Sequence, residues 1–170
     1  MESFLGTATG SGLGLIALLI GALFNAHLNR KRDDRLRKDD ARAVASALKA
    51  ELSGINDTLL RNAKSLDNPE GNFVAADIAH SVRVMPVLLP KFGLLDVETT
   101  RAVIDVYVSI DQYCESLIIV GGDISPLTRP DRRLMYMPVE RARSVAKINR
   151  DMAQMIRDAI EKLDAFLLGL

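Results

Sequence analysis

The chain has 170 residues, in which 22 lysines and arginines balance 22 aspartates and glutamates. This length suffices for one domain of ordinary size with an additional element. The even charge balance excludes a net-charge argument for nucleic acid or for an acidic partner, so electrostatic partners must be read from local patterns.

The first predicted element is an apolar run without Asp, Glu, Lys or Arg from Phe4 to Asn29. As a helix, about 26 residues rise roughly 39 Å, which is enough to cross the hydrocarbon layer of a membrane. A cleaved secretory signal is disfavoured, because the opening "MES" carries an acid and no base. We therefore predict an N-terminal transmembrane anchor over residues 1–28.

Two other interpretations of the run stay open. Gly10, Gly12 and Gly14 are closely spaced, and Asp33 follows about 20 residues later, where a dinucleotide-binding fingerprint carries an acid. The glycine spacing is GxGxG rather than GxGxxG, and the residues before it make a poor strand, so this interpretation is weak. The run also fits a buried helix of a soluble domain.

Basic residues flank the predicted anchor on one side only. No Lys or Arg precedes it, whereas Arg30, Lys31 and Arg32 follow directly. The positive-inside rule then predicts a single-pass protein of the cytoplasmic (inner) membrane, with its N-terminus outside and most of the chain in the cytoplasm. The lipid bilayer is the predicted partner, and these three basic residues are the candidate headgroup contacts. Residues 29–43 are predicted to form a charged juxtamembrane helical neck.

Small residues recur along one face of the predicted anchor. Gly6, Gly10 and Gly14 are four residues apart, and Ala17 and Gly21 continue the strip. A strip of this kind lets two membrane helices approach closely. It predicts a homo-oligomer or a subunit of a larger membrane complex, unless the glycines only reflect the ordinary composition of spanning helices.

Residues 44–170 are predicted to form an antiparallel helical bundle, which makes the fold class all-α. Apolar residues follow a 3-4 spacing from Ala45 to Leu66. The segments "FVAADIAHSV" and "MPVLLPKFGLL" predict shorter helical pieces separated near Pro86 and Pro90. Asp96 can then cap a helix that runs through Val120.

The final helix is predicted from about Pro138 to Leu167, with three apolar rows along it. One polar residue interrupts its seam, Asn149, and one interrupts the seam of the first bundle helix, Asn62. If the two helices are antiparallel, these amides can share a layer and fix the register by a hydrogen bond. The alternative is that each amide lies at a frayed end and contacts water.

Two segments near the middle of the chain carry further hypotheses. "LIIVGGD" fits a helix that ends at Gly121 better than a strand followed by a phosphate loop. The loop "DISPLTRPDRRLMYMP" is the candidate surface for contact with a partner, and a solvated loop is the alternative. Its proposed contact residues are Arg129, Arg132, Arg133 and Tyr136.

Catalytic and metal-binding motifs are not recognisable. His27 and His80 belong to no triad or ligand set, and Cys114 in its apolar helical context is predicted to be a buried thiol. Asp111 and Glu115 are one helical turn apart and become functional only if they face a cavity. Motifs such as GxSxG, CxxC and a Walker loop are missing. We predict no enzymatic activity, no cofactor, no metal and no nucleic acid partner.

The layout resembles uncharacterised single-span bacterial or prophage-encoded proteins, in which an anchor runs into a charged helix and a compact helical domain. A loose sequence match covers "LLPKFGLLDVETTRAVIDVYVSI", and the resemblance implies a membrane-associated helical protein. We expect a membrane-anchored interaction or scaffold protein, or an accessory subunit of a membrane complex. The alternative is a membrane-permeabilising effector whose spans assemble into a pore controlled by the bundle.

Overall fold

The structure is a computed structural model that describes residues 2–69, 71–76, 78, 81–124 and 134–170. Within these ranges, the structure describes the backbone but not the side chains of residues 2–17, 74 and 76. The chain divides into two compact units, residues 1–40 and residues 41–170. The apolar core described below belongs entirely to the second unit.

The first helix, α1, runs from Glu2 to Ser65. In the second unit its apolar residues recur every three or four positions, which places them on one face of a helix. That face is buried and consists of Val44, Ala45, Leu48, Leu52, Ile55 and Leu59. In the first unit, the described apolar side chains of α1, such as Leu18, Leu23 and Phe24, are exposed.

The predicted transmembrane anchor is wrong for the residues that the structure describes. No helix there combines the length and the apolar character needed to cross a membrane. Among the described side chains of α1, the uncharged run ends at Asn29, and the charged residues Arg30, Lys31 and Arg32 follow it directly. The prediction of a single-pass protein of the inner membrane is corrected by the same finding.

In the described part of the chain, nine further elements follow α1, and local signals in the sequence account for several of their boundaries. Pro86 and Pro90 each lie at the start of a short helical piece, where a missing N–H costs nothing. Asp96 caps the next helix, because its carboxylate accepts the Thr99 N–H at 2.8 Å. The elements are β1 (Phe73–Ala76), α2 (Met85–Leu88), a 3-10 helix (Leu89–Leu94), α3 (Val97–Asp111), α4 (Tyr113–Ile119), β2 (Asp123–Ile124), β3 (Leu134–Met137) and α5 (Ala142–Gly169), the last preceded by a 3-10 turn (Val139–Arg141).

A three-stranded antiparallel sheet corrects the predicted all-α fold class. Its order is β1-β3-β2, with Phe73 opposite Met137 and Asp123 opposite Tyr136. The strands have only two to four residues, and the apolar period of so short a run does not distinguish a strand from a helical piece. In β3, Met135 and Met137 are buried while Tyr136 on the opposite face is exposed.

Helices α1 and α5 run antiparallel within the second unit. Two ion pairs fix this direction, Lys49 with Asp164 and Arg150 with Asp67. Helix α5 buries a continuous apolar face and also packs against α3. The buried residues of α5 are Ala142, Val145, Ala146, Asn149, Met152, Ala153, Ile156, Ala159 and Leu163.

Candidate functional site

The carboxylate of Glu51 on α1 fastens helix α2 to the core. It accepts hydrogen bonds from the backbone N–H groups of Arg83, Val84 and Met85, the last at 3.1 Å. These N–H groups lie at the N-terminus of α2 and would otherwise lack hydrogen-bond acceptors. The hydroxyl of Tyr107 on α3 donates a fourth hydrogen bond to the same carboxylate at 2.7 Å. One side chain therefore joins α1, α2 and α3.

The electrostatics of this cluster favour the ionised carboxylate. Burial alone raises the pKa of the Glu51 carboxyl, but the donors from Val84, Tyr107 and the other backbone groups together hold that pKa below its ordinary value. Burial, followed by the hydrogen bond and the negative charge of Glu51, raises the pKa of the Tyr107 hydroxyl above its ordinary value. At neutral pH the pair is a carboxylate and a neutral phenol.

A groove of about 500 Å³ lies between the α2 segment and α3. Tyr107 is part of its wall, so the Glu51 cluster sets the position of α2 relative to α3 along the groove. Most of the lining is apolar, and the polar groups are confined to Tyr107, Asp111 and Gln112. The apolar lining residues are Val82, Met85, Pro86, Leu89, Phe92, Ile104, Val108 and Ile110.

The groove is open along its length and leaves large apolar side chains in contact with water. Leu89 is 54% exposed, Ile104 is 41% exposed and Val108 is 50% exposed. Ile104 and Val108 are one turn apart on α3, which places them side by side on the helix face that does not enter the core. Exposed aliphatic side chains grouped in this way are typical of a binding surface.

Two further depressions continue the same apolar surface. The groove shares Phe92 and Ile104 with a second depression at the start of α3. That depression shares Val97 with a third one, which is bordered by Phe166 and the end of α5. The three together follow α3 over its 15 residues, or roughly 22 Å. We call them the α3 surface.

Of the predicted pair Asp111 and Glu115, Asp111 lies at one end of the α3 surface. Asp111 lines the groove and closes α3, and Glu115 lies on α4 beyond the break at Gln112. Both side chains are exposed. Across the described residues no group of three or more His, Cys, Asp and Glu could hold a metal ion.

The small-residue strip falls largely outside the described side chains. Gly6, Gly10, Gly14 and Ala17 lie outside them, and a methyl group on Gly21 would meet no atom within 4 Å. The candidate headgroup residues Arg30, Lys31 and Arg32 lie consecutively on α1 and are exposed.

The candidate partner-contact loop is only partly described. Arg129, Arg132 and Arg133 lie outside the described residues, and Tyr136 lies on β3 rather than in a loop. The Tyr136 hydroxyl accepts a hydrogen bond from the side-chain amide of Asn72. The side-chain carbonyl oxygen of Asn72 accepts a hydrogen bond from the Val139 N–H at 3.0 Å. Asn72 therefore links Tyr136 to the turn that precedes α5.

The structure does not bring the two predicted register residues together. The carbonyl oxygen of Asn149 accepts the Tyr113 hydroxyl at 2.6 Å, and both side chains are buried. Arg150, the next residue, pairs with Asp67, which lies just beyond the end of α1. Asn62 is half-buried, and its backbone carbonyl accepts the Ser65 hydroxyl.

Other predicted features have clear positions. Cys114 is buried, and α4 ends just before Gly121, which has a φ of 93°. His27 is exposed, and His80 lies outside the described residues. Comparisons with protein-family models, with curated proteins and with solved structures gave no match.

Neither the role of Glu51 nor the groove was predicted from the sequence. Glu51 occupies a polar position of α1 and lies 56 residues from Tyr107 in the chain. The one available signal was on α3, where Ile104 and Val108 extend the apolar arc beyond the width that one packing face requires.

Proposed function

We propose that this chain is an interaction protein whose second unit, residues 41–170, binds a polypeptide segment of a partner along the α3 surface. The observation that carries the proposal is the continuity of the three depressions beside exposed Leu89, Ile104 and Val108. An apolar groove between helices is a recurrent binding site for a partner's helix.

The shape of the surface favours a polypeptide over a small molecule. A small-molecule site usually encloses most of its ligand. The groove beside α3 is open instead, and it continues into neighbouring depressions over roughly 22 Å. That distance corresponds to about four turns of a bound helix.

The anchoring of the groove also supports binding. The Glu51 cluster holds α2 in place without a partner, because three backbone N–H groups and the Tyr107 hydroxyl converge on one carboxylate. A groove that is already formed loses less conformational entropy on binding than a mobile one does, so less of the binding free energy is offset. The pore-forming alternative depends on the corrected membrane span and is not carried further.

Site-specific photo-crosslinking tests the proposal. A benzophenone amino acid replaces Val108 in the full chain, which is expressed in its native cells. A matched control variant carries the same amino acid at Gln154, an exposed residue of α5. We expect a discrete adduct from position 108 that is lost when Ile104→Glu is added. The captured protein, once purified, should bind the unmodified chain at least tenfold more tightly than the Ile104→Glu variant.

Equal adducts from positions 108 and 154 would contradict the proposal. So would an adduct that survives Ile104→Glu, because that substitution places a charge in the centre of the apolar lining. Circular dichroism on each variant verifies that the fold is intact, and Ile104 is already partly exposed, so the change is compatible with folding.

A further inference from the structure

The α3 surface has a charged end, and the charge is negative. Asp111 is the single charged residue in the groove lining, and Glu115 follows one turn later. Arg83 and Lys91, the basic residues of the segment facing α3, are outside the lining. A segment that lies in the groove with its end near Gln112 therefore meets carboxylates.

The other acids of α3 are already neutralised by neighbours. Asp105 pairs with Arg101 at 3.8 Å, and Glu98 pairs with Lys162 at 3.3 Å. Within the described part of the chain, Asp111 and Glu115 take part in no ion pair. The negative charge available to a partner is thus concentrated at one end of the surface.

On the basis of the function proposed above, we infer that the bound segment is an amphipathic helix with Lys or Arg side chains at the end that meets Asp111 and Glu115. Its apolar face contacts Leu89, Ile104 and Val108, and its basic end sets its direction along α3. An acidic segment of the same shape is disfavoured, because like charges at an interface oppose binding.

The expected size of the charge effect follows from the exposure of the two carboxylates. One exposed ion pair changes an equilibrium constant by roughly 1.5-fold to fivefold. Two such pairs together give a preference of roughly twofold to 25-fold, while the apolar contacts supply most of the affinity. Salt should weaken the preference, since exposed charges are screened.

Two synthetic helical peptides test the inference against the full chain. Both have 15 residues and the same leucines at 3-4 spacing, and they carry either lysines or glutamates at the polar positions of one end. Fluorescence anisotropy should show about tenfold tighter binding of the lysine peptide at low salt. The double variant Asp111→Lys/Glu115→Lys should reverse the preference. The control Glu140→Lys/Glu161→Lys, with the same change in net charge outside the three depressions, should leave it unchanged.

The possible failures separate the two proposals. The two peptides could bind equally well, with no effect of the Asp111 and Glu115 changes, while Ile104→Glu still weakens binding. That result overturns the charge preference and leaves the docking function intact. Binding that Ile104→Glu does not weaken, or no binding of either peptide at the highest soluble concentration, overturns the docking function and the charge preference with it. Reversal by the control variant overturns the assignment to Asp111 and Glu115.

Discussion

At the scale of single residues, the buried amide of Asn149 is stabilised by one specific partner. It accepts the hydroxyl of Tyr113 at 2.6 Å, and each residue is 1% exposed. A buried acceptor that loses its donor also loses hydration that it cannot regain, which costs about 1–3 kcal/mol. This hydrogen bond joins the start of α4 to the middle of α5.

Tyr113→Phe should therefore lower the free energy of unfolding by about 1–3 kcal/mol, as measured by urea denaturation. In a double-mutant cycle, Tyr113→Phe combined with Asn149→Ala should cost less than the sum of the single changes. Additive costs would show that the hydroxyl and the amide do not stabilise each other.

Among the glycines whose surroundings the structure describes, Gly122 is the one that the packing requires most strictly. A methyl group on it would lie 2.9 Å from the Leu117 carbonyl oxygen and 2.5 Å from the Met137 sulfur. The backbone oxygen cannot rotate away, so Gly122→Ala should destabilise the fold by roughly 1–3 kcal/mol in thermal or urea denaturation. The matched change Gly54→Ala, on α1 with no atom within 4 Å, should be stabilising by about 0.5–1 kcal/mol. Equal effects at the two positions would contradict the described end of α4.

At the scale of elements, α2 keeps its position through a side chain rather than through its own length. It has four residues and buries none of them, so its helical hydrogen bonds alone give little stability. Glu51 supplies acceptors for the N–H groups that open it. The wall of the groove thus depends on a carboxylate of α1.

The contribution of Glu51 to stability should depend on pH. Its folded pKa lies below the ordinary value of 4.5, so the contribution is complete above that value and is lost as the pH falls through the folded pKa. We expect Glu51→Gln to cost about 1–3 kcal/mol at pH 7, because an amide replaces a charged acceptor of several donors. The difference between the two chains should shrink steadily below about pH 4.5. A difference that stays constant down to about pH 2 would refute the role of the ionised carboxylate.

Local signals determined which elements were predicted and which were not. The cap at Asp96, the breaks at Pro86 and Pro90 and the 3-4 spacing of α5 all act within a few residues, and the structure contains each of them. The sheet depends on pairing between Phe73 and Met137, which are distant in sequence. Strands this short carry too little pattern of their own to be distinguished from helical pieces.

At the scale of the whole molecule, the sequence predicted the main apolar contact surface in residues 1–28, whereas the surface proposed for docking lies along α3. The uncharged run before Arg30 predicted a membrane span, and no helix in the described residues has the character of one. The groove of the α3 surface is formed where α2 lies beside α3, and Glu51 accepts hydrogen bonds from both elements. Such a surface depends on tertiary structure, so the helical period of α3 indicated an apolar excess but not its location.

Methyl NMR on the full chain shows residue by residue whether a helical segment binds the α3 surface, as proposed. The lysine-containing peptide is titrated into chain labelled at Ile, Leu and Val methyl groups. If the helix docks there, the chemical-shift changes should be concentrated on the methyl groups of Leu89, Ile104 and Val108. The core methyl groups of Ile156 and Leu163 on α5 should change little. Shifts confined to other surfaces, or no shift at Ile104 and Val108 at saturating peptide, would contradict the proposed docking.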